Sequence, residues 1–345
     1  MTSSRNQIMI KKPGSYNALF FDETPLEDPG PQEVQVQVKA CGINFADICV
    51  RLGLYEAAKG NYPICPGLEF SGVVNRIGEH IQTVKPGDRV FGASRFGAYT
   101  TAINTVPDML WPLPDHWDFT RGASFPVAYL TAWYGLHETG HLKKAETVLV
   151  HSAAGGVGTS MMHLLKLNGN RAVGVIGHSD KKAAVLDTGA AHVIDKQTQD
   201  LWKEAEKLNP EGYDMIADAN GASTLKGSYN HLKPGGRLLI YGFASMFSHT
   251  GRKNLPKLIW DYFRTPRFSP FDMTGSNKTV SGFNLIYLFD KIDLFRAIMD
   301  RLLRLDQQKM LPPMPITTFP FRNVANAHRA MESGLSVGKL VLEIL

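Results

Sequence analysis

The sequence predicts an α/β protein of two parts, a β-rich domain and a doubly wound parallel sheet. Three observations predict it. Residues 33–40, EVQVQVKA, alternate apolar and polar with a period of two, as a strand with one buried face does. Residues 147–151, TVLVH, form the continuous apolar run of a strand buried on both faces, followed by a glycine turn and a helix-period segment at 159–167. Strand and helix patterns then alternate through 172–176, 181–188, 192–194, 215–217 and 237–241, the rhythm of a doubly wound sheet.

The first part continues through glycine- and proline-punctuated runs at 67–74 and 85–92, where Pro86-Gly87-Asp88 sets a turn before a strand. The last part holds helical patterns at 294–305 and 324–331, a proline-rich turn at 312–315 and an apolar ending, 339–345. A length of 345 residues with 43% hydrophobic and 20% charged residues fits two domains and excludes disorder or a small disulfide scaffold. The net charge of +5 is spread without long basic runs, and no basic-aromatic stacking platform precedes the Rossmann pattern, so nucleic-acid binding is not expected. Cys41, Cys49 and Cys65 contain no C-x-x-C pair. With no apolar leader pattern and no run of about 18 apolar residues, the expectation is a reduced, cytoplasmic protein.

The strongest chemical signal is Ala153-Ala154-Gly155-Gly156-Val157-Gly158 between a predicted strand and a predicted helix. It fits the dinucleotide fingerprint of a Rossmann domain with alanine in the first glycine position. Ala154, Gly155, Gly156 and Val157 would pass close to a pyrophosphate, the helix N-terminus would offer free N–H groups, and Gly158 would let helix and strand pack closely. At the end of the next strand, where a carboxylate would select NAD, stands Gly177, followed by Ser179 and Lys181. These can donate to a 2′-phosphate, so NADPH is the expected cofactor. The alternative is that Ser179 caps a helix and the lysines are solvated, and Asp180 complicates the assignment.

Several blocks together carry a family resemblance: Cys41-Gly42-Ile43-Asn44-Phe45-Ala46-Asp47, Arg51-Leu52-Gly53-Leu54-Tyr55, Pro66-Gly67-Leu68-Glu69-Phe70-Ser71-Gly72, residues 85–90 and 153–158. The chain resembles the medium-chain dehydrogenase/reductase superfamily, in its zinc-free quinone oxidoreductase branch. Residues 226–236, 251–255 and 280–285 further resemble the vesicle amine transport protein homologues. The resemblance implies a GroES-like catalytic domain over 1–125 and 284–345 and a Rossmann NADP-binding domain over 126–283. It also implies a homodimer formed by edge-pairing of strands near 279–283.

Zinc-dependent members carry a cysteine where this chain has Asn44 and a histidine where it has Leu68, so no metal is expected. Without a Lewis acid, the implied activity is NADPH-dependent reduction of quinones or α,β-unsaturated carbonyl compounds. Asn44 and Tyr55 are the expected catalytic residues: Asn44 would bond the nicotinamide ribose or the substrate oxygen, and Tyr55 would donate from its phenol. Asn44 can equally be a turn residue bonding its own backbone, and Tyr55 a wall of the pocket. By position the resemblance adds Thr131, Asn220, Gly242, Phe243, Ala244 and Phe283 to the cofactor contacts. Lys196 departs from the aromatic or histidine expected against the adenine, but it can add charge near a 2′-phosphate. His151 reads as a hydrogen-bonded core histidine.

A connection of about forty residues around 246–274 interleaves Met246, Phe247, Trp260, Tyr262, Phe263, Phe268 and Phe271 with Arg252, Lys253, Lys257, Arg264 and Arg267. It reads as an apolar substrate lid with an amphipathic helix near 255–264, or as a basic-aromatic surface for peripheral membrane or partner contact. Pro256, Pro266 and Pro270 are expected to limit that helix to about two turns. The rival reading of the whole chain is therefore a cofactor-binding, membrane- or partner-associated protein with little catalytic activity.

Overall fold

The computed structural model describes residues 4–247 and 251–344. Residues 248–250 of the long connection lie outside the described residues. The chain begins with a two-stranded ribbon, β1 (Ser4–Ile10) and β2 (Leu19–Pro25). Next come β3 (Val34–Ile43), α1 (Phe45–Leu52), β4 (Glu69–Ile77), β5 (Arg89–Ala93), β6 (Ala102–Thr105) and β7 (Leu110–Pro112). Helices α2 (Phe119–Ser124) and α3 (Pro126–Trp133) lead out of this antiparallel region. In β3 the apolar positions 34, 36, 38 and 40 are all fully or nearly fully buried, as the period-two pattern predicts, and of the polar positions between them Gln35 is buried as well.

The second sheet follows: β8 (Thr147–Val150), α4 (Gly156–Asn168), β9 (Arg171–Ile176), α5 (Lys182–Asp187), β10 (His192–Asp195), α6 (Leu201–Leu208) and β11 (Tyr213–Asp218). It continues with α7 (Leu225–Asn230), β12 (Leu232–Ile240), α8 (Leu255–Arg264), α9 (Pro270–Ser276) and β13 (Thr279–Gly282). All six strands run parallel in the order β10-β9-β8-β11-β12-β13, so the winding reverses between β8 and β11. The chain then returns through α10 (Ile292–Gln307), β14 (Ile316–Pro320), α11 (Val324–Glu332) and β15 (Lys339–Glu343). Strand β15 pairs antiparallel with β3, joining the last strand to the first sheet.

One apolar core runs through the junction. Phe91 and Trp111 of the antiparallel sheet stack at 5.8 Å, and Phe125 stacks on Tyr129 of α3 at 4.1 Å, continuous with Val148, Met161 and Leu239 of the parallel sheet. Helix α8 spans the ten residues 255–264, longer than the prolines suggest. Pro256 falls in its first turn, where an N–H would have no intrahelical partner, and Pro266 lies beyond its end, so neither breaks it. Among the described residues, no helix is long and apolar enough to cross a membrane.

Candidate active site

Because all six strands point the same way and the winding reverses at β8 and β11, their carboxyl ends open onto one crevice. The glycine turn follows β8, with Ser152 in the left-handed region (φ 53°), and α4 starts at Gly156. A Cβ on Gly158 would lie 2.3 Å from the Ser152 carbonyl oxygen, so only glycine allows the helix this close. Gly177 and Ser179 follow β9, Lys196 follows β10, Asn220 follows β11, Gly242 to Ala244 follow β12 and Phe283 follows β13. The loops of β11 and β12 are tied together: Ala244 and Ser245 donate their N–H groups to the carbonyls of Ala219 and Asn220, both at 2.9 Å. Phe283 packs on Tyr134, with ring centroids 5.0 Å apart.

This ledge suits a dinucleotide. Asn220 is 7% exposed and its Oδ1 accepts the Ser152 hydroxyl at 3.0 Å, yet its buried Nδ2 has no partner. A buried amide donor left unpaired costs about 1–3 kcal/mol, and a ligand oxygen at the ledge would satisfy it. Gly177 has open space where a side chain would stand.

Beside Ser179 the structure adds a carboxylate. Ser179 Oγ donates to Asp195 Oδ2, and that bond is the first cause holding Asp195 below its ordinary pKa. The Ser179 hydroxyl proton, expected for a 2′-phosphate, is thus already engaged. Lys181 Nζ donates to the Gly334 carbonyl at 2.5 Å; burial, then the like charge of Lys196, hold its pKa below the ordinary value. Lys181 and Lys196 lie within electrostatic reach of each other, and among the described residues neither is bonded to a carboxylate.

Opposite the ledge, Asn44 caps α1 and is 8% exposed. Its N–H donates to Asp47 Oδ2 at 2.8 Å, so part of its work is local, as a turn residue's would be. Its side chain does more: Nδ2 donates to Glu69 Oε1 at 2.8 Å and Oδ1 accepts from Lys339 Nζ at 2.5 Å. Thr131 spends its hydroxyl proton on the Val127 carbonyl at 2.6 Å, leaving its oxygen able to accept. Tyr55 donates to Asn284 Oδ1 at 2.9 Å, and burial raises its pKa, so it remains a phenol. His151 is fully buried, bonded to Ser228 Oγ at 3.1 Å, with Asp218 Oδ2 at 3.7 Å.

Sequence reasoning missed Glu69 and Lys339 at this site, and Asp195 beside Ser179. Glu69 stood inside a quoted block, but nothing local distinguishes Lys339 from a solvated lysine at the start of a strand. Leu68 is buried, Cys41 Sγ bonds the Ala98 carbonyl at 2.8 Å, and all three cysteines are free. Among the described residues, no group of three or more His, Cys, Asp or Glu is placed to hold a metal ion.

Two family models match the chain: the alcohol dehydrogenase GroES-like domain over residues 30–115 and the zinc-binding dehydrogenase over residues 188–342. The human synaptic vesicle membrane protein VAT-1 homolog is 33% identical over 331 residues, which is 95% of this chain and 84% of that protein. Escherichia coli quinone oxidoreductase complexed with NADPH superposes with a TM-score of 0.86 at 26% identity, covering 98% of this chain and 100% of that one. Human synaptic vesicle membrane protein VAT-1 homolog-like protein gives a TM-score of 0.84 at 26% identity, covering 99% and 98%.

Proposed function

The chain belongs to the medium-chain dehydrogenase/reductase superfamily and is an oxidoreductase of that family; on that premise we propose that it is a zinc-independent, NADPH-dependent reductase of quinones or α,β-unsaturated carbonyl compounds. The observation that carries this reading is residue chemistry: Asn44, linked through Lys339 to the glycine turn, and buried Leu68 stand where thiolate and imidazole would be needed to hold zinc. The similarity to an NADPH-complexed quinone oxidoreductase supports the acceptor class.

NADPH, when bound, supplies the hydride. Residues 154–157, Asn220 and Gly242 to Ala244 would hold its phosphates and ribose, and Lys181 with Lys196 its 2′-phosphate. The chain's own task is then to hold the acceptor and give a hydrogen bond to the carbonyl oxygen on which charge develops. Asn44 has one Nδ2 hydrogen left after Glu69 takes the other, and that hydrogen is the donor. Tyr55, held by Asn284, forms a wall whose oxygen can accept, and Phe283 closes the nicotinamide side. Strand β13, at the edge of the sheet, is the element through which two copies would pair as a homodimer.

Steady-state oxidation of NADPH with benzoquinone, phenanthrenequinone and simple enones tests the activity; no turnover with either class, by protein that binds NADPH, would overturn it. Lys181→Ala should weaken NADPH about tenfold or more while changing NADH about twofold at most, since it removes a charge-assisted bond to phosphate. Equal losses for the two cofactors would remove the 2′-phosphate assignment.

One observation favours the rival reading. Helix α8 exposes Leu255, Ile259, Trp260 and Phe263 to 58–76%, and Phe271 of α9 is 89% exposed, among Lys253, Arg264 and Arg267. Co-sedimentation with anionic liposomes, lost when the 246–274 segment is removed and accompanied by negligible turnover, would favour a membrane-associated protein.

A further inference from the structure

The side chains of Asn44, Glu69 and Lys339 close a ring. Lys339 Nζ lies 2.5 Å from both Asn44 Oδ1 and Glu69 Oε1, and Asn44 Nδ2 lies 2.8 Å from the same Glu69 oxygen. The ring is dry: Lys339 is 3% exposed and Glu69 fully buried. Glu69 Oε2 is used as well, accepting the Val127 N–H in the first turn of α3 at 2.8 Å. Its three members come from the end of β3, the start of β4 and the start of β15.

The ring dictates which way the amide of Asn44 points. An ammonium can only donate and a carboxylate only accept, so the oxygen must face Lys339 and the nitrogen Glu69. A flipped amide would set N–H against N–H and oxygen against oxygen in a buried site. The same lysine touches the dinucleotide turn. The Gly338 N–H donates to the Ala154 carbonyl at 2.7 Å, and a Cβ on Gly156 would lie 3.2 Å from Lys339 Cδ. One side chain therefore runs from the cofactor turn to the residue facing the acceptor.

We propose that Lys339, held by Glu69, is a positioning residue that fixes the amide of Asn44 so that its free Nδ2 hydrogen is presented to the acceptor oxygen in register with the cofactor turn. The proposal rests on the reductase reading for its consequence in turnover but not for the ring itself, and two readouts separate them. The first is the Asn44 side-chain amide in protein labelled with ¹⁵N at asparagine, assigned by its loss in Asn44→Asp. Lys339→Met should move that resonance pair and speed its exchange with solvent about tenfold or more, and Lys339→Arg should restore it. The second is NADPH oxidation with phenanthrenequinone: Lys339→Met should lower kcat about 10- to 100-fold with KM for NADPH changed about threefold at most, and Lys339→Arg should recover most of kcat. If Lys339→Met does not fold, the double variant Lys339→Met/Glu69→Gln leaves no uncompensated buried charge and is read in the same way. An Asn44 amide unchanged in the methionine variant, or not restored by arginine, overturns the proposal. Absence of wild-type turnover overturns the reductase reading instead, with the amide measurement still deciding the ring.

Discussion

Arg51→Met is expected to cost about 3–5 kcal/mol of folding stability, the range for removing one partner of a buried ion pair. Arg51 has no exposed surface, and its guanidinium joins three distant stretches of chain. Nη2 meets Glu332 Oε2 at 2.8 Å, Nη1 donates to the carbonyls of Gly14 and Gly251 at 3.0 Å each, and Nε bonds His328 Nδ1 at 3.3 Å. Without it the carboxylate of Glu332, 3% exposed, loses its ion pair with Arg51, and two carbonyls lose a donor. Replacing both members, Arg51→Met with Glu332→Met, should recover a large part of the loss, because an apolar pair of similar volume leaves no buried charge. Urea unfolding of the two single variants and the double variant checks this. A loss under about 1 kcal/mol for Arg51→Met, or a double variant as unstable as the sum of the singles, would show that the pair does not hold these segments together.

Acid should unfold the protein by way of its buried histidines. Burial pushes His328 down to about 3 and His163 down to about 4. The unfolded chain therefore takes up their protons first, near the ordinary histidine value, while the folded chain refuses them. Their contribution to stability is present above about pH 6.5 and is lost as the pH falls toward those lower values, at roughly 1.4 kcal/mol per pH unit for each.

Asp47 works the other way. It is buried with Asn44, Gly67 and Tyr99 as donors, and burial still pushes it up to about 6. Folded protein binds that proton more readily than unfolded protein does, so Asp47 adds stability as the pH falls from about 6 to about 4. It offsets about one histidine in that window. The expected result is a net fall in unfolding free energy from pH 6.5 to pH 4, steeper by about 1.4 kcal/mol per unit in Asp47→Asn. Urea midpoints across this range decide it; a curve flat or rising on acidification would contradict the assignment.

Much of the fold was legible because its cues are local. The apolar run at 147–151 became β8, the alternation at 33–40 became β3, and the amphipathic spacing at 255–264 became α8. The prolines misled only by position: Pro256 sits where a helix tolerates it, which residue type alone does not tell. The glycine turn was equally legible, since the close approach that requires Gly158 is to Ser152 and Ala153, within a few positions of it. Beyond β9 the local view was incomplete. Ser179 was visible, but its partner Asp195 lies sixteen residues on, brought beside it by the pairing of β9 with β10.

By itself, then, the sequence determined the parallel sheet, the dinucleotide turn, the superfamily and the want of a thiolate or imidazole at positions 44 and 68. Each of these rests on periodicity, backbone requirements or residue chemistry that a short window carries. Only the tertiary structure decided which groups Asn44, Arg51 and Lys339 bond. Lys339 reaches Asn44 across 295 positions and Arg51 reaches Glu332 across 281. A charged side chain reads as solvated until the fold removes its water. The physical reason is burial: with water gone, an ammonium or guanidinium must find its acceptors in other segments, and only the packed chain says which segments those are.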